Sequence, residues 1–146
     1  AATGAAQNRA GLYLGKNALA RGDYETAKDE FVATVNIASD EFGAEAKYRL
    51  AEIFYLTKEH KPCYETLISL NKDYQAYPEW VGRSFLLLAD NYAATGDVFQ
   101  AKATLRSLDK FPLDMIKQEA ASKLKSLEEQ ELKLRKTQPT DTTDQQ

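Results

Sequence analysis

Two side chains of metal-ligating type stand close together in His60-x-x-Cys63. A zinc site takes four protein ligands, or three and a water. These two are the chain's sole histidine and sole cysteine, so neither a metal site within one chain nor a cofactor is expected. Cys63 reads as a small packed hydrophobe, and His60 as an exposed residue of a first helical turn. Carboxylates cluster at Asp40-Glu41, at Glu128-Glu129 and at Glu131. Acid–base catalysis needs such groups in environments that push their pKa values apart. These fall at a helix junction and on a polar helix, where carboxylates are surface charge. No serine–histidine–acid order with supporting spacing, phosphate-cradling glycine loop or dinucleotide fingerprint occurs. Trp80, two residues after Pro78, reads as packing a helix start rather than stacking on a ligand. The residue types point away from an enzyme, so the informative signal is their spacing.

One phrase is written three times. Leu14-Gly15-x-x-Ala18 is followed by Ala27-x-x-x-Phe31. It returns as Leu50-Ala51-x-x-Phe54 with Cys63-x-x-x-Leu67, then as Leu88-Ala89-x-x-Tyr92 with Ala101-x-x-x-Leu105. Both anchors shift by 36 residues and then by 38. A period of this size marks stacked helical hairpins. The expected hairpins cover about residues 8–41, 44–77 and 82–112. Gly22-Asp23 and Gly96-Asp97 supply a helix end and an N-cap. The middle turn, Thr57 to Lys61, lacks the glycine, with Glu59 in the capping place. A last helix over 114–136 carries a thin apolar stripe of Ile116, Ala120, Leu124 and Leu127 with a polar back, as the end of a solenoid requires. Residues 1–136 thus read as one domain, and residues 137–146, which have no apolar side chain, as a disordered tail.

Small residues recur at fixed places. Gly15, Ala51 and Ala89 mark one crossing point on each first helix, with Ala27, Cys63 and Ala101 facing them from each second helix. The fold class expected is all-α: a right-handed superhelical stack of three hairpins plus a C-terminal capping helix.

Bulk numbers narrow the function. The net charge of −3 and pI of about 5.3 give no basic field to draw nucleic acid or an anionic membrane. No apolar run approaches the roughly 18 residues of a membrane helix. The chain opens Ala1-Ala2-Thr3-Gly4 without an initiator Met and reads as an excised or processed piece.

With Leu14-Gly15, Ala27 and Phe31, and with Phe85-x-x-Leu88-Ala89-x-x-Tyr92, the chain resembles the tetratricopeptide repeat family over about residues 8–112. The spacings exceed the family's period of about 34, most obviously around Gln75 to Pro78. Lengthened repeats of this sort are similar to those of bacterial cell-envelope proteins, such as outer-membrane assembly lipoproteins and the Tol-Pal coordinator, which implies an envelope location rather than the cytoplasm. The resemblance implies a non-catalytic interaction scaffold that binds a protein or peptide segment in a concave groove lined by the first helices. Carried over residue by residue, the groove positions are Leu12, Lys16 and Leu19, then Tyr48, Glu52 and Tyr55, then Leu86, Asp90 and Ala93. The family's Lys/Asn clamp for a C-terminal carboxylate is absent from these positions. Tyr48 and Tyr55 would either anchor a peptide or pack against neighbouring helices. The alternative role is an oligomerisation or assembly module of a larger multi-repeat envelope protein, whose charged last helix docks another copy or another subunit.

Overall fold

Each turn between paired helices is built by two residues. Gly22 and Gly96 adopt φ of 74° and 85°, a left-handed conformation that terminates a helix with little steric penalty. Asp23 and Asp97 then cap the next helix, each carboxylate accepting from the backbone N–H three residues on, at 3.2 and 3.1 Å. In the middle turn Lys58 takes the same conformation, φ 62°, without glycine's freedom. Glu59 follows it and makes no side-chain cap.

The computed structural model describes residues 3–137, and among them every regular element is helical. The elements are α1 (Thr3–Ala20), α2 (Tyr24–Ile37), α3 (Glu41–Leu56), α4 (His60–Asp73), α5 (Pro78–Ala94), α6 (Val98–Arg106) and α7 (Asp114–Thr137). They pair as α1/α2, α3/α4 and α5/α6, and α7 lies on the last pair. Pro62 falls in the first turn of α4, where no backbone donor is needed. The two residues that lengthen the second repeat go one to the connection, 74–77 against 38–40, and one to the first helix before its crossing alanine. The last helix includes Thr137, so it runs one residue further than the sequence suggested; the rest of the expected tail, residues 138–146, lies outside the described residues.

The core runs the length of the stack in four adjoining clusters. Leu12, Ala18, Ala27 and Phe31 meet Ala46 and Ile53 of the next hairpin. Ala51, Cys63 and Leu67 meet Leu87 and Leu88. Leu86, Ala89, Leu105 and Leu108 meet Ile116 and Ala120 of α7. Ala44, Leu70 and Tyr74 form the fourth, beside Trp80 and Val81. The small residues allow these approaches. A Cβ added at Gly15 would lie 2.4 Å from the Phe31 ring, and one at Gly11 would lie 2.4 Å from the Thr34 hydroxyl. Ala27, Ala51, Cys63 and Ala101 have no exposed surface, and Ala89 has 1 %. Consecutive hairpins are also tied by Tyr74, whose hydroxyl donates to the carbonyl of Ala38 at 2.7 Å.

Curvature follows from which helices touch. Successive first helices, α1, α3, α5 and α7, contact one another, whereas α2, α4 and α6 do not. The stack therefore bends with its first helices inside.

Candidate protein-binding groove

The inner face carries a ladder of charges that crosses the repeats. Lys16 of α1 reaches Glu45 of α3 at 3.0 Å. Glu45 also accepts from Arg49 Nε at 3.1 Å, and Arg49 Nη1 lies 3.4 Å from Glu52. Further along, Asp90 of α5 receives Lys123 of α7 on both oxygens at 3.0 Å. Positions Lys16, Glu52 and Asp90 are thus joined to partners that the repeat register alone did not name: Glu45, Arg49 and Lys123.

Among these charges stand the aromatics. Tyr48 packs its ring 5.7 Å from that of Trp80, under the Arg49 guanidinium at 5.4 Å. Burial, reinforced by the Glu52 carboxylate, pushes its phenol up to about 12. Tyr55 is half-buried, 6.2 Å from the ring of His60, and burial followed by the Asp90 charge raises its pKa. A cavity of about 380 Å³ opens beside it, between α5 and α7, lined by Asp90, Ala93, Lys123, Leu127 and Gln130. Leu19 is half-buried at the other end of the groove, against the first core cluster.

Two expected groove residues do not line it. Leu12 is 2 % exposed and Leu86 4 %, each inside a core cluster. Their position lies at the base of the groove. A leucine there ends within the core, while the longer ring of Tyr48 stays half-buried. A larger cavity, about 550 Å³, lies outside the groove at the rim where α5 and α7 begin, against Pro78, Trp80, Leu113 and Met115.

The residues that could have suggested chemistry are spent on structure. His60 Nδ1 lies 2.7 Å from Asn91 Oδ1, and the Asn91 amide donates to the His60 carbonyl at 2.9 Å. Cys63 is fully buried, and burial pushes its thiol up to about 12. Asp40 caps α3 and accepts from Asn8 at 3.0 Å. Glu131 pairs with Lys102 at 2.6 Å, and Glu128 with Arg106 at 3.5 Å. Trp80 serves as a packing platform between Tyr48, Arg49 and Arg83. No group of three or more metal-ligating side chains converges among the described residues.

Residues 83–114 match the tetratricopeptide repeat family. The segment holds most of α5, all of α6 and the first residue of α7. Among solved structures, the N-terminal domain of stress-induced protein-1 (STI-1) from C. elegans superposes with a TM-score of 0.65. The alignment covers 83 % of this chain and 94 % of that one at 17 % identity. No curated protein matches the chain. The fold is that of a tetratricopeptide repeat domain. Among the described residues no helix is long and apolar enough to cross a membrane.

Proposed function

We propose that this chain is a non-catalytic scaffold whose inner face takes an extended or helical segment of a partner protein. The observation that carries the reading is the convergence on that face of a half-buried tyrosine, a 380 Å³ cavity and an alternating ladder of charges from four helices. Tyr55 supplies an apolar contact with a polar tip, the amphipathic character that favours tyrosine at interfaces. Asp90 and Lys123 fix the polarity of whatever lies across them. Tyr48 serves the groove from below, as part of its floor. With three hairpins the contact area is modest, and a free segment would be held in about the micromolar range.

The test is titration with a peptide selected against the whole chain. Tyr55→Ala and Asp90→Asn should each weaken binding about tenfold, which corresponds to roughly 1.4 kcal/mol. Leu134→Ala, on the exposed far side of α7, should leave it unchanged. Equal affinity for all four proteins rejects the groove.

A second reading, self-assembly through α7, is favoured by Leu132 and Leu134, which are 53 % and 64 % exposed. Light scattering decides it. A dimer that Leu132→Lys/Leu134→Lys dissolves would establish assembly, and a monomer would leave the groove as the working surface.

A further inference from the structure

The two ends of the stack are chemically different. At the C-terminal end α7 turns Ile116, Ala120, Leu124 and Leu127 inward. Its opposite side carries Lys125, Glu128, Glu129, Lys133 and Lys136 around Leu132. That side closes the stack with charge. At the N-terminal end the exposed side of α1 is less charged, with Arg9 and Lys16 lying over the Tyr13 ring at 5.6 and 5.4 Å. The core side of α1 is Asn8, Leu12, Gly15 and Ala18. Its far side is Ala6, Ala10, Tyr13, Leu14 and Asn17, all exposed, with Leu14 at 55 % and Tyr13 at 48 %. These five fall at i, i+4, i+7, i+8 and i+11, one continuous helical face.

The same five positions in the next two hairpins are interfaces. Shifted by 36 residues they are Phe42, Ala46, Arg49, Leu50 and Ile53; α3 sets Phe42, Ala46, Leu50 and Ile53 on the preceding hairpin, with Ala46 and Ile53 fully buried, while Arg49 stacks on Tyr48 and Trp80. Shifted by 38 more they are Trp80, Ser84, Leu87, Leu88 and Asn91 of α5, with the last four at most 6 % exposed. There Ser84 donates to Asn71 Oδ1 at 2.8 Å and Asn91 grips the backbone of His60, both on α4. Asn17 repeats Asn91, and Leu14 repeats Leu50 and Leu88. The far side of α1 is the third copy of a docking face whose other two copies are filled by the groove of a helical hairpin.

We infer that the outer face of α1 docks a further helical hairpin of this same repeat type, added in series to the stack. A second copy of this chain does not supply the matching groove. Its α1/α2 groove is filled by α3, its α7 end is charged, and its own α1 offers a ridge to meet a ridge. Ala1, Ala2 and residues 138–146 hold too few apolar side chains to do so.

The probe is the hairpin that fills the α5 face, residues 41–77, fused ahead of Gly4 of the chain; a second fusion uses residues 3–40 ahead of Ala5. Docking should slow amide exchange over residues 6–17 at least about tenfold and raise the thermal midpoint by about 5 °C, as added burial requires. Leu14→Asp should abolish both gains in the fusions and leave the unfused chain within about 1 °C, since the side chain is exposed there. If exchange over residues 6–17 is unchanged in both fusions, the face is not a stacking face. If the unfused chain is a dimer that Leu14→Asp dissolves, the occupant is a second copy and the inference falls. Neither result alters peptide binding through Tyr55, so this outcome and that of the groove are read separately.

Discussion

Lys58 carries the clearest residue-scale strain in the fold. It holds at φ 62° the place that Gly22 and Gly96 hold in the other two turns, and a side chain in that conformation costs about 1–2 kcal/mol. Lys58→Gly should therefore raise stability by about 1 kcal/mol in urea melts; a loss would show that the lysine is held there by contacts of its own. Ionisation gives a second test. Burial holds the Cys63 thiol and the Tyr48 phenol to about 12, above ordinary values of 9.0 and 10.0. The unfolded chain therefore releases these protons first. Their contribution is fully present below about pH 9 and is lost as pH rises to about 12. Thermal midpoints should fall across that window, and Tyr48→Phe should flatten its upper part. In the native protein Cys63 should resist iodoacetamide at pH 8 and react only after denaturation. The small residues at the crossings could be read in the sequence because sterics fixes their size. The burial of Leu12 and Leu86 could not, because the pattern gives a position's direction and not how far each side chain reaches along it.

At the scale of the element, the starts of α2 and α6 were legible because one aspartate fixes each, whereas α3, expected from about residue 44, begins at Glu41 under Asp40. Asp40 does more than its fellows. It accepts from the N–H groups of Phe42 and Gly43 at 3.1 Å and from the Asn8 amide of α1. It thus caps one helix and anchors another. Asp40→Ala should cost about 1–2 kcal/mol, measured by chemical denaturation, and Asp40→Asn should recover part of it. Ala101 tests the crossing in α6. It has no exposed surface, and Ala101→Leu should overpack the α5/α6 pair by about 1–3 kcal/mol. An unchanged melt would mean the crossing lies elsewhere. The charge ladder on the inner face was less legible. Lys16–Glu45 and Asp90–Lys123 join residues from different helices, and such partners are set by stacking rather than by local pattern.

For the molecule as a whole, each helix contacts only its neighbours in the stack, so stability is close to a sum of local terms. The α1/α2 pair is covered on one side only, and it should open at a lower free energy than α3, α4 and α5. Native-state hydrogen exchange should show α1 and α2 exchanging first, and uniform protection along the chain would contradict serial stacking. The period of the sequence revealed this architecture because each hairpin buries its apolar face on the next. The polarity of the two ends became visible only once α1 and α7 were placed at opposite limits of the row.

α1 and α5 have no contact of their own, yet both lean on α3. A guest reaching from one to the other would brace an arch whose stones touch only side by side. Its arrival would be felt as stiffness in hairpins it never meets, and loosening any one hairpin would weaken its hold on all of them.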